Sequence, residues 1–262
     1  MWASDIDKAA KSGITLLRIP TTYVAWSELP GSKLYSGKQT AYLKKIATYA
    51  IEQYNIYIIV DVHGLPGGID GLAIGEAAGR WGLFHNQTNF DYSNKVVDSV
   101  LSFIQNSGYP EYFTFEPLNE AADNHDLSVF GTSAALSSSG ASWVLKYYKA
   151  VLDRVAAVNP QIPFMFQDCF QGELFWSADF SSSDNIAFDV HNYYFAGRNT
   201  TSQNEPSYIC SDTKYSTGDG KVPVFVGEWS IQALYNNSFG LREGNFNTGI
   251  VAFHRYTQGE AY

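Results

Sequence analysis

Residues 37–64 read GKQTAYLKKIATYAIEQYNIYIIVDVHG, and the change of pattern inside that stretch decides the fold. Up to Asn55 the apolar residues, Tyr42, Ile46, Ala50 and Ile51 among them, recur at helical spacing. From Ile56 they become a near-continuous β-branched run that closes on Asp61 and His63, as a strand buried on both faces requires. The same helix-then-strand unit repeats outward from here. Upstream, a helix from Ser4 as N-cap to Lys11 stops at Gly13 and precedes the strand ITLLRIP (14–20). Downstream, a helix over 91–108, capped by Asp91 and closed by Gly108, leads to YFTFEPLNE (112–120). A long helix over 141–160 leads to IPFMFQD (162–168), then come NIAFDVHNYY (185–194) and VPVFVGEWS (222–230), and a helix over 241–259 ends the series.

Alternating units of this kind build either a doubly wound parallel sheet or a (β/α)8 barrel. The strand ends separate the two. Arg18, Asp61 with His63, Asn119 with Glu120, Asp168, His191 with Tyr193, and Glu228 put polar or ionisable groups at the end of every strand. A barrel gathers all its C-terminal strand ends at one mouth, whereas a doubly wound sheet needs such groups only near its switch point. The expected fold is therefore an α/β (β/α)8 TIM barrel.

Composition narrows the partners. Of 262 residues, 45% are apolar, 16% aromatic and only 16% charged, with a net charge of −9. That charge argues against nucleic acid and against a polybasic membrane contact, and no apolar run reaches the roughly 18 residues of a transmembrane helix. Residues 1–13 have no apolar signal-peptide core. Cys169 and Cys210 lack metal spacing and are compatible with one disulfide or two unrelated thiols. Sequons at Asn86, Asn199 and Asn236, with high Tyr, Ser and Asn content, lean toward a secreted protein. GLPGGIDG (64–71) lacks dinucleotide spacing, and no zinc-protease, Walker or nucleophile-elbow motif occurs, so neither cofactor nor metal is implied.

Glu120 and Glu228 form the candidate catalytic pair. A single strand-end Glu is more often a structural ion-pair partner, but two at matched strand ends in aromatic company suit a retaining glycosidase. Such an enzyme needs one protonated and one ionised carboxyl about 5 to 5.5 Å apart. Trp81, Phe84, Phe170 and Trp176, in expected loops above the mouth, suggest a sugar-binding rim, and Asp61 and Asp168 read as hydrogen-bond anchors.

LLRIP, DVHGLPGGIDG, EPLNEA, DVHNYY and VPVFVGEWS, in this order and spacing, resemble the family 5 glycoside hydrolases, and within them the fungal exo-β-1,3-glucanase branch. The resemblance implies one catalytic domain over 1–262, a (β/α)8 barrel and metal-free retaining hydrolysis of β-glucosidic bonds. It makes Glu120 the acid/base and Glu228 the nucleophile. It gives Asn119 the sugar 2-hydroxyl, sets Arg18 and Tyr193 beside Glu228, makes His63 and His191 sugar-contacting and acid-flanking, and offers Trp229 as an apolar face for the sugar. Glu116 matches a position behind the acid/base.

The implied partner is a β-glucan oligosaccharide or polysaccharide, acted on by a secreted or cell-wall monomer. Exo-β-1,3-glucosidase action leads; endo-β-1,6-glucanase or another β-glucosidase is the alternative, and a non-catalytic glucan-binding barrel or inactive fragment the reading from another class. Two departures stand out: Ala121 replaces the usual Pro after Asn-Glu, and the family's first strand and Trp-bearing eighth strand have no counterpart. The expectation is a partial barrel of six strands with exposed edges, poorly soluble and nearly inactive by itself.

Overall fold

The computed structural model describes residues 2–30, 32–195 and 199–262. The chain divides into two compact units, one of Met1–Asp123 with Ser138–Met165, the other of Asn124–Ser137 with Phe166–Tyr262.

The first unit opens with α1 (Ala3–Lys11), whose N-cap is Trp2 rather than the expected Ser4. Asp5 Oδ2 accepts the Trp2 backbone N–H at 2.8 Å, so an acidic side chain in the first turn does the capping work. β1 (Leu16–Thr22) pairs in parallel with β2 (Tyr57–Gly64), and β2 with β3 (Phe113–Glu116). α2 (Gln39–Tyr54) lies between β1 and β2 and buries Leu43, Ala47, Ala50 and Ile51. Its buried face is turned one residue from the expected one, since Tyr42 is 63% exposed.

α3 (Gln87–Gln105) starts earlier than expected. Its cap is Asn86, whose side chain accepts the Asn89 N–H at 3.0 Å, and not Asp91. α4 (Ser138–Val158) buries Val144, Tyr147, Tyr148, Val151 and Val155, a helical stripe facing the sheet. Tyr148 meets Phe164 at the start of β4 (Phe164–Gln167), and Phe164 is the register partner of Phe115 in β3.

β4 crosses the boundary between the units, and directly after it the Asp168 N–H bonds the Asp189 carbonyl of β5 (Ile186–Tyr194) at 2.9 Å. Phe166, Phe180 and Phe188 form the aromatic heart of the second unit. Short α5 (Glu173–Trp176) and α6 (Glu205–Ser216) flank β5; α6 was not expected from the sequence. β5 pairs in parallel with β6 (Val224–Ala233), which α7 (Arg242–Tyr256) follows. Trp176, expected on the sugar rim, is buried and donates its indole N–H to the Asp168 carbonyl at 2.8 Å. No disulfide joins Cys169 and Cys210, so the pairing left open by the sequence does not form.

Parallel strands that follow one another in chain order and alternate with helices are the (β/α)8 class, and six such strands stand among the described residues. Among the described residues no helix is long and apolar enough to cross a membrane.

Candidate active site

In the first unit the site grows from neighbouring strand ends. Register places Asp61 of β2 opposite Glu116 of β3 and beside Pro20 of β1. Two buried carboxylates side by side need a cation, and Arg18 supplies it. Its Nε donates to Glu116 Oε2 at 2.7 Å and its Nη2 lies 3.2 Å from Asp61 Oδ2, with the Arg18 side chain only 4% exposed. The same Nη2 donates to Asn119 Oδ1 at 3.1 Å. His63, two residues after Asp61 and so on the same strand face, contacts Asp61 Oδ2 through Nδ1 at 2.7 Å and the Asn119 amide through Nε2 at 3.2 Å. Arg18, His63 and Asn119, three of the expected substrate-binding residues, are therefore joined.

Glu120 follows Asn119, four residues past β3, and is buried with a φ of 30°. That left-handed backbone is disfavoured for a residue with a Cβ and marks a functional or strained position. The segment is tied to the glycine-rich loop by the Ala122 N–H, which bonds the Ile69 carbonyl at 2.9 Å. Asp70, next in that loop, is fully buried; burial pushes its carboxyl up to about 6, the Leu72 N–H opposing and the charge of Glu120 adding to the rise. Nothing in the sequence reading singled out Asp70. Its clue was a carboxylate inside an otherwise apolar and glycine-rich run.

In the second unit β5 and β6 do the positioning. Val190 pairs with Val226 but His191 pairs with Glu228, so Gly227 is an extra residue, a bulge that re-aims Glu228. A Cβ at Gly227 would overlap the Asp189 carboxylate, and the Gly227 N–H donates to Asp189 Oδ1. The other Asp189 oxygen contacts His191 Nε2 at 3.1 Å, while His191 Nδ1 lies 3.6 Å from Glu228 Oε2. Tyr193, on the same face of β5, donates its hydroxyl to Glu228 Oε2 at 2.7 Å. His191, Tyr193 and Glu228 thus come together as expected. Glu228 stands within β6, which continues to Ala233, and not at its end.

Trp229 does not join them. Next in the strand, it points to the opposite face, is 3% exposed, stacks on Phe246 and meets Phe253 and Tyr262 edge-on. The α7 side of β6 claims the ring that was expected to carry the sugar. Asp168 is an anchor, as expected: it accepts the N–H groups of Phe170 and Gly172, and burial still pushes it up to about 6.

Known proteins resemble this arrangement closely. The crystal structure of rutinosidase from Aspergillus niger is 54% identical with a TM-score of 0.99, covering all of this chain and 74% of that one. The crystal structure of AoRut is 59% identical with a TM-score of 0.98, again covering the whole chain and 72% of that one. Probable glucan 1,3-beta-glucosidase A of Aspergillus niger is 26% identical over 231 residues, which are 87% of this chain and 51% of that protein. The chain spans about half the length of the curated relatives it matches. Residues 1–257 match the family described as cellulase (glycosyl hydrolase family 5), and the chain belongs to that family.

Proposed function

We propose that this chain carries retaining hydrolysis of β-glucosidic bonds, as a single catalytic domain, with Glu228 as nucleophile and Glu120 as acid/base. The observation that carries the reading is the Tyr193 hydroxyl bond to Glu228 Oε2, which orients a carboxylate beside His191. In the first step a Glu228 oxygen bonds the anomeric carbon while Glu120 protonates the departing glycosidic oxygen. In the second, Glu120 takes a proton from water, whose oxygen displaces Glu228 from the anomeric carbon. In this scheme Asn119 donates to the sugar 2-hydroxyl, a bond that strengthens in the oxocarbenium-like transition state.

The likenesses support two readings of the substrate. The 54% identity to a rutinosidase favours a rutinoside. The glucan 1,3-beta-glucosidase relatives, and the motifs shared with them, support a second reading, a β-1,3-glucan. A secreted or cell-wall monomer suits both substrates.

The test is hydrolysis of an aryl β-rutinoside, laminarin and pustulan by the full chain and by Glu228→Gln. Turnover of one substrate by the parent and none by Glu228→Gln is expected, because an amide cannot attack the anomeric carbon. Substantial residual turnover in pure Glu228→Gln protein would remove the nucleophile assignment. Glu120→Ala should lose far less on an acidic phenol leaving group than on a sugar.

A further inference from the structure

Arg18, Asp61, His63 and Asn119 close a ring. Arg18 Nη2 reaches both Asn119, at 3.1 Å, and Asp61 Oδ2, at 3.2 Å. Asp61 Oδ2 meets His63 Nδ1 at 2.7 Å, and His63 Nε2 meets the Asn119 amide at 3.2 Å. A guanidinium only donates and a carboxylate only accepts. The Asn119 atom facing Arg18 is therefore its carbonyl oxygen, and the atom facing His63 is the NH2 group. His63 Nε2 must then accept, which leaves the ring proton on Nδ1, donated to Asp61. One arrangement of protons satisfies all four contacts.

We propose that Asp61 is a positioning residue that sets the direction of the Asn119 amide through the tautomer of His63. Asp61 is fully buried and contacts Arg18 and His63 but reaches Asn119 only through them. A role confined to pairing Arg18 is the competing account, and the distances oppose it. Arg18 has its closer carboxylate in Glu116, at 2.7 Å, and Asp61 is nearer to His63 than to Arg18. With one Asn119 N–H given to His63, the second has a fixed direction. On the reading of the previous subsection, on which only this consequence rests, that N–H meets the sugar 2-hydroxyl. Asp61 thereby governs a transition-state contact it does not make.

Imidazole 1H–15N spectra of the full chain at neutral pH, with the His63 signal assigned by its loss in His63→Gln, test the ring directly. The expected result is a neutral His63 protonated on Nδ1. In Asp61→Asn the new amide can donate to Nδ1, so the tautomer moves wholly or partly to Nε2–H and Asn119 loses its fixed orientation. Then kcat on an aryl β-glucoside falls about a hundredfold with KM changed less than about threefold, and the preference for the glucoside over its 2-deoxy analogue shrinks about tenfold. A role limited to pairing Arg18 would leave that preference unmoved.

A parent His63 protonated on Nε2 or on both nitrogens overturns the proposal, as does an Asp61→Asn protein that keeps the 2-hydroxyl preference. If Asp61→Asn does not fold, the parent tautomer alone decides. If the parent hydrolyses no β-glucoside at all, the proposed function fails while the tautomer result still stands or falls by itself.

Discussion

The tripeptide Asp-Val-His occurs twice, at 61–63 in β2 of the first unit and at 189–191 in β5 of the second, and the two copies hold their rings by opposite nitrogens. Period two puts Asp and His on one face and turns Val62 and Val190 into the core in both. Asp61 binds Nδ1 of its histidine, leaving Nε2 to Asn119, whereas Asp189 binds Nε2, leaving Nδ1 facing Glu228. The difference comes from the neighbouring strand. Asp61 shares Arg18 with Glu116, but Asp189 is gripped by the Gly227 N–H of a bulge that also sets Glu228 opposite His191. A short motif fixes which side chains share a face; the partner strand decides which atom each one presents.

The largest effect is expected at the second copy. Asp189→Ala strands the buried Gly227 N–H and releases His191, and should cost about 3 to 4 kcal/mol in urea unfolding. A cost under about 1 kcal/mol would mean the bulge does not depend on that carboxylate. Gly227→Ala attacks the same clamp sterically, with no change of charge. The added methyl displaces Asp189, and a loss of about 2 kcal/mol is expected, together with a fall in kcat. Unchanged stability and rate would break the link between bulge and ring.

Tyr193→Phe removes one hydrogen bond to a carboxylate from the second copy alone. It should lower kcat about tenfold to a hundredfold while stability moves by about 1 kcal/mol or less, read from steady-state kinetics and thermal unfolding. Equal kcat would show that Glu228 is oriented without it.

An effect of the opposite sign contrasts buried carboxyls in the two units. Asp70 and Asp168 are both raised to about 6, chiefly by burial. A carboxyl raised in the folded state stabilises fully below its unfolded value, near 4, and that stability is lost as the pH rises through 6. Asp70→Asn has no proton to lose. It should match the parent at pH 4 and exceed it by about 2 kcal/mol at pH 7, measured as Tm against pH. Asp168→Asn presents fewer acceptor sites to the Phe170 and Gly172 N–H groups and the Gln167 amide, so it should be destabilised even at pH 4. Parallel pH profiles for the two variants would erase the distinction.

Strands were readable because each is a nearly unbroken apolar run between helical periods, and the fold class followed from polar groups at their ends. Cap positions were not. Trp2 and Asn86 cap where Ser4 and Asp91 were expected, because which polar side chain meets a free N–H depends on the entering backbone. α6 escaped notice because EPSYICSDTKYS mixes polar residues around the whole helix and buries only Glu205, Ile209, Thr213 and Ser216. Arg18, His63, Asn119, His191 and Tyr193 were legible as polar or aromatic residues on or just past the strands, although Arg18 and His191 stand within β1 and β5 and not at their ends as expected. Trp229 was misread although the information was present: alternation from Glu228 already sends it to the other face. Trp176 was misread because it ends the short helix α5, where an aromatic side chain can turn inward as easily as toward a ligand, and its indole N–H bonds back to the Asp168 carbonyl.

The two unlinked thiols give the second unit a built-in counter of its own openings. Cys210 is exposed on α6 and should react with a maleimide at once, whereas Cys169 is fully buried and can react only when the structure around it opens. Mass spectrometry would then show one label added promptly and a second added slowly. The rate of the second addition measures how often that unit comes apart under native conditions, without denaturant and without any substrate.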